Sequence, residues 1–140
     1  MMTKMMIENK KTRFEYNFLE TYEAGIVLTG MEVKTIRQGN VNLTDTYCYF
    51  KDNELFVKNI SISLVNGEPK RERKLLLKKI QLKKLKSKLI NGLTIVPTKI
   101  YINDRGYVKL EIVLAQGKKD FDKRNTIKER DIKRDLERNL

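Results

Sequence analysis

The chain of 140 residues contains no histidine and a single cysteine. Without histidine it lacks the commonest general acid/base and the commonest transition-metal ligand. One cysteine, Cys48, excludes an internal disulfide and a thiolate zinc site, which fits a reducing cytosol. It lies in the apolar run Tyr47-Cys48-Tyr49-Phe50 and is expected to be a buried, inert thiol. No apolar run approaches the roughly 20 residues of a membrane helix. The first residues, Met-Met-Thr-Lys-Met-Met, lack a signal peptide's apolar stretch, and residues 1–8 are expected to fray. No internal repeat, low-complexity linker or clustered Asp/Glu metal site is evident.

What is abundant is positive charge. Lys and Arg number 30 against 18 Asp and Glu, a formal net charge of +12. That excess on one domain-sized chain predicts attraction to a polyanion, of which nucleic acid is the commonest. Apolar residues, at 40%, suffice for one core. They thin out after Ala115, so residues 117–140 read as a charged tail that cannot build a core of its own.

The body reads as mostly β. After the basic stretch Asn9-Lys10-Lys11-Thr12-Arg13, Phe14, Tyr16 and Phe18 alternate with polar residues, the period of a half-buried strand. Tyr22-Glu23-Ala24-Gly25 is expected to bend the chain into Ile26-Val27-Leu28. Thr29 and Glu32 have capping-box spacing and predict a short helix over Met31–Arg37, stopped at Gly39. Runs at 46–50 and 55–57 flank Lys51-Asp52-Asn53-Glu54 and predict a hairpin. Ile60, Ile62 and Leu64 suggest another strand before the loop at Val65–Pro69. In the lysine-rich segment 70–88, Leu75-Leu76-Leu77 and then Leu82, Leu85 and Leu89 predict an amphipathic helix, with Asn91-Gly92 as its stop. A strand over 94–102, bulged or at an edge at Pro97, turns at Asn103–Gly106 into the alternation of Val108, Leu110, Ile112 and Leu114. Tyr47, Tyr49, Phe14 and Tyr16 are expected to pack inward rather than serve as base platforms. Six or seven short strands with two or three short helices predict a mainly β fold, an OB-like β-barrel over 9–116.

Several stretches together resemble small protein B, the SsrA-binding protein family of bacterial trans-translation. They are Asn9–Arg13, Tyr22–Gly25, Leu28–Lys34, Asn42–Tyr47, Arg71–Leu77, Gly92–Pro97, Ala115–Lys119 and Asp122–Arg124. The resemblance implies an RNA-binding protein of the cytoplasm rather than an enzyme, with no cofactor. It implies binding to the tRNA-like domain of transfer-messenger RNA, and delivery of that RNA with elongation factor Tu to the decoding centre of stalled small subunits. The tail over 117–140 would be disordered when free and helical in the empty mRNA channel. The alternative is a general basic RNA-binding or ribosome-associated protein.

The family's RNA contacts fall on Asn9, Glu23 and Leu76, and Lys10, Lys11, Arg13 and Lys74 are further RNA-binding candidates. Its ribosome-contacting tail positions fall on Gly117, Lys118, Lys119, Asp122, Lys123 and Arg124. From the residues alone, Leu76 reads as core, Glu23 as a turn residue or surface ion pair, and Glu32 as a helix cap. This sequence departs from the family in a shorter loop between Ile62 and Lys70, in Phe121 where His or Tyr is common, and in a shorter tail.

Overall fold

The longest strands follow from alternation. In the computed structural model, which describes residues 5–63, 70–89 and 92–118, Val108, Leu110, Ile112 and Leu114 of β9 (Val108–Gly117) are buried, with Lys109 and Glu111 on the opposite face. β8 (Leu93–Ile102) pairs antiparallel with β9 from Leu93–Gln116 to Ile102–Val108, with the expected register shift between Pro97 and Lys99. β2 (Tyr16–Ile26) takes the other edge of β9, from Tyr16–Gly117 to Gly25–Lys109, with a bulge between Phe18 and Glu20.

The remaining pairings close a circuit. The end of β2 pairs with β7 (Arg73–Leu76), β7 with β5 (Glu54–Lys58), and β5 with β4 (Tyr47–Lys51). β4 meets β8 at Cys48–Ile95, so six strands return to their start. Asp52 and Asn53 both adopt positive φ between β4 and β5, the geometry of a tight hairpin turn. β3 (Val41–Asn42) and β6 (Ser61–Ile62) form a separate two-stranded pair. Inside lies an aliphatic core including Leu55, Val57, Leu75, Ile95, Ile100, Leu110 and Ile112. The mainly β fold with short helices is therefore as expected.

The helices sit at the margins of this ring. α2 (Gly30–Arg37) opens with the capping box: the Glu32 N–H donates to Thr29 Oγ1 at 3.2 Å and the Thr29 N–H to Glu32 Oε1 at 2.9 Å. Beyond its last turn, Gly39 has φ +80, a conformation that costs glycine little. α3 (Lys79–Lys88) buries Leu85 in the core. Lys86 bonds to Asn53 of the β4–β5 turn and Lys88 to Glu20 of β2, so α3 spans the opening left where β7 stops.

Glu32 does more than cap. It is 1% exposed and accepts from Arg71 Nε at 3.1 Å and Arg73 Nε at 2.7 Å. Arg73, itself fully buried, also donates to the carbonyls of Ile60 and Arg71. Burial pushes the Glu32 carboxyl up, but Arg71, the Thr29 N–H and Arg73 together outweigh it and hold it at about 2. A charge cluster thus ties α2 to β7.

Five expectations need correction. Met5–Glu8, expected to fray, forms β1 along β8 from Met5–Ile102 to Glu8–Lys99, because that length of β8 has a ladder edge free of β4. Phe14 is not on the strand; it is exposed in the one-turn helix α1 (Thr12–Glu15). The bend at Tyr22–Gly25 is absent, since β9 offers β2 a partner throughout. Gly25 serves close approach instead, as a Cβ there would lie 3.3 Å from Leu76 Cβ. Leu75 and Leu76 belong to β7, so the helix occupies only the latter part of its expected segment. Finally, three of the four aromatics do not pack inward: Phe14 and Tyr47 are exposed and Tyr49 is half-buried, whereas Tyr16 packs against the buried Val96, Val113 and Ala115. The ring interior is filled by Cys48, Leu55 and Val57, leaving Tyr49 outside, stacked with Phe56 at 6.2 Å between centroids. Leu64, the loop at Val65–Pro69 and Asn91 lie outside the described residues.

Candidate nucleic-acid interface

Side chains alternate across a sheet, so burial of Ala24, Ile26, Leu75, Ile100, Ile102, Val108 and Leu110 assigns their neighbours to the outer surface. Pairing then places those outer residues in rows. One row runs Tyr101, Lys109, Gly25, Leu76 across β8, β9, β2 and β7. The next runs Glu8, Lys99, Glu111, Glu23 across β1, β8, β9 and β2, and Asn9 follows Glu8 directly. Glu23 and Leu76, distant in sequence, thereby share one outer strip, and Asn9 lines a cleft at its end with Lys99 and Glu111.

Glu23 lies on a strand rather than in a turn, and its Oε2 accepts from the Tyr101 hydroxyl. Burial, and then this carboxylate, push the Tyr101 hydroxyl well above its ordinary pKa. It remains a donor at neutral pH, fixing the Glu23 side chain. The adjacent Glu111 is neutralised by Lys99 at 3.3 Å and accepts from Thr98 Oγ1 at 2.8 Å. Lys99 Nζ also lies 5.9 Å from the Tyr101 ring centroid. This arrangement supplies a carboxylate acceptor held in place by the Tyr101 hydroxyl, suited to an amino donor on a base edge.

Asn9 is largely committed within the protein. Its Nδ2 donates to the Leu43 carbonyl at 2.9 Å, its N–H to Thr98 O at 2.7 Å, and its carbonyl accepts from Thr12 Oγ1 at 2.7 Å. It therefore positions α1 and the turn after β3. Lys10 and Arg13 share a cleft with Asn9 and Lys99, the Arg13 guanidinium lying 5.9 Å from the Phe18 ring centroid. Lys11 lines a different cleft, on the side of Tyr47 and Asp45. Lys74 is on the outer face of β7, in the register of Phe56, and pairs with Glu54 at 3.1 Å. Leu76, which the residues alone assign to the core, is 52% exposed.

Of the tail positions, Gly117 ends β9 and the Lys118 N–H donates to Glu15 O at 2.9 Å, fastening the last described residue to α1. Lys119, Phe121, Asp122, Lys123 and Arg124 lie outside the described residues, as does the rest of the tail.

Sequence reasoning missed a group around Leu76. Tyr107, 62% exposed, lines a groove of about 490 Å³ with Leu76, Gly25, Arg37, Arg105 and Lys109. One signal was available: Tyr107 precedes Lys109 by two, sharing its outward parity along the strand direction. The convergence of Arg37 from α2 has no local signal at all.

The family model described as SmpB protein matches residues 6–140. An SsrA-binding protein of Phocaeicola vulgatus is 50% identical, covering 97% of this chain and 95% of that protein. One from Thermosipho africanus is 48% identical over 95% and 94%. Among solved structures, a chain from "tmRNA-SmpB: a journey to the center of the bacterial ribosome" superposes with a TM-score of 0.69 at 48% identity, covering 82% of this chain and 85% of that one.

Proposed function

The chain belongs to the SmpB family, and from that premise we propose that it binds the tRNA-like domain of transfer-messenger RNA and brings it to stalled bacterial ribosomes for trans-translation. The observation that carries this reading is the likeness in sequence and fold to an SmpB chain of a tmRNA–ribosome structure. The net charge of +12 supplies the sequence-independent attraction to phosphate. The outer strip of Glu23 and Leu76, with Asn9, Lys10 and Arg13 in the cleft at its end, supplies contacts that discriminate a folded RNA with unstacked bases. Lys11 and Lys74 add phosphate partners at its margins.

The body, residues 9–116, is OB-like in this reading and holds the RNA. The tail enters the empty decoding site and mRNA channel and becomes helical there, with Gly117, Lys118, Lys119, Asp122, Lys123 and Arg124 meeting the ribosome. Ordering such a segment on contact is offset by its charge-assisted contacts. Elongation factor Tu accompanies the charged RNA, and the setting is the cytoplasm.

Truncation tests the division of labour. The cut belongs after Lys118, because β9 pairs with β2 up to Gly117 and Lys118 bonds to Glu15. The shortened protein is expected to bind the tRNA-like RNA as the full chain does and to fail in tagging stalled peptides. Loss of RNA binding, or tagging that survives, refutes it.

A further inference from the structure

The groove beside Leu76 differs chemically from its neighbours. The clefts around α1 and β1 each carry a carboxylate, from Glu8, Glu111, Glu15 or Asp45. The groove has three cations at its walls, Arg37, Arg105 and Lys109, and no acidic lining residue. Neither Arg105 nor Lys109 forms an ion pair among the described residues. Its volume falls within the roughly 300–1,000 Å³ of small-ligand sites. Leu76 and the bare backbone of Gly25 give it an apolar floor, and Tyr107 presents a ring at its rim.

Its wall is also rigid. Asn103 Oδ1 accepts from the N–H groups of Arg105 at 3.1 Å and Tyr107 at 3.0 Å, and the Asn103 N–H donates to Tyr107 O at 2.9 Å. Arg37 reaches from α2 to the Gly106 carbonyl at 3.4 Å, bracing the turn from the other side. The backbone that carries Arg105 and Tyr107, and the Arg37 side chain, are therefore held in place before any ligand arrives, which lowers the ordering cost of binding.

We propose that this groove receives one unstacked nucleotide of the bound RNA, its base against the Tyr107 ring and Leu76, and its phosphates against Arg105, Arg37 and Lys109. An aromatic face, an apolar floor and cations without a carboxylate match the two halves of a nucleotide, a flat base and an anionic backbone. An acidic peptide would use the cations but leave the ring and floor unmatched. The proposal rests on the RNA-binding reading and assigns it residues that resemblance did not supply.

The chain has no tryptophan, so Tyr107→Trp installs a single reporter at the groove. Its fluorescence is expected to change as tRNA-like-domain RNA is added, saturating at the affinity that the wild-type protein shows by gel shift. Tyr107→Ala should weaken binding about tenfold or more while leaving its salt dependence unaltered, as loss of stacking does. Tyr107→Phe should restore binding. Arg105→Ala should weaken binding and make the salt slope shallower by about one. Equal affinity of Tyr107→Ala and wild type, or unchanged indole emission in the saturated Tyr107→Trp complex, overturns the groove assignment. The wild-type arm reports separately on the wider reading: if wild type does not shift the RNA, that reading itself is lost.

Discussion

Replacing Glu32 probes the charge cluster that joins α2 to β7, the strand bearing Leu76. The carboxylate is 1% exposed and its partner Arg73 has a fully buried side chain. Removing one member of such a pair costs about 3–5 kcal/mol. Arg73 keeps the carbonyls of Ile60 and Arg71 as acceptors, so the lower end, about 3 kcal/mol, is expected for Glu32→Gln. Gln retains an oxygen for the Thr29 N–H; Ala does not, and should cost about 1 kcal/mol more through the lost cap. The lowered carboxyl corresponds to a figure of the same size. A carboxyl held at about 2 instead of 4.5 contributes about 3 kcal/mol, at about 1.4 kcal/mol per pH unit. Because the folded value is the lower one, this stability is fully present above pH 4.5 and is lost as pH falls toward 2. Urea denaturation followed by circular dichroism should therefore show a wild-type-to-Gln gap of about 3 kcal/mol at about pH 7, shrinking to about 1 kcal/mol near about pH 2.5. A gap below about 1 kcal/mol at about pH 7, or one that does not change with pH, refutes the argument.

Two further outcomes follow from the same geometry. Glu23→Lys places a cation between Tyr101 and Glu111 on the outer strip; gel shifts should show weaker binding to tRNA-like RNA, with an unfolding midpoint near wild type. Unchanged binding would return Glu23 to a purely structural role. Cys48 is buried and its thiol is raised well above the usual range by burial alone. A thiol reagent at about pH 8 should label it only in denaturant, and rapid labelling of the native protein would contradict the packing of β4 against β8.

The parts of the fold legible in the sequence are those whose cause is local. The Thr29–Glu32 box, the Asp52–Asn53 turn and the β8–β9 hairpin each need only a few neighbouring residues to specify them. β1 was illegible because Met5–Glu8 has no decisive period of its own; what makes it a strand is the edge of β8, some ninety residues away. Arg73 was illegible as a core residue for the same kind of reason. A buried guanidinium is expected only once Glu32 is known to face it, and that pairing spans 41 residues. Leu75-Leu76-Leu77 carries no alternation, so nothing in it distinguishes strand from helix.

The site has a different difficulty. Alternation reveals that Tyr47 and Tyr49 share a face opposite Cys48, but it is silent on which face is inside. The expectation put Cys48 and both tyrosines inside, which alternation does not allow together; the ring of six strands is filled by Cys48, Leu55 and Val57. The same ambiguity sent Leu76 to the core, since a leucine between two leucines gives no hint of its direction. It resolves in one step. With Leu75, Ala24, Leu110 and Ile100 inside, the opposite parity puts Leu76, Gly25, Glu23, Lys109 and Tyr101 outside together. Resemblance singled out Glu23 and Leu76 without saying what joins them. The register supplies the join, and it brings in Lys109 and Tyr101, which neither composition nor motif had distinguished from ordinary strand residues.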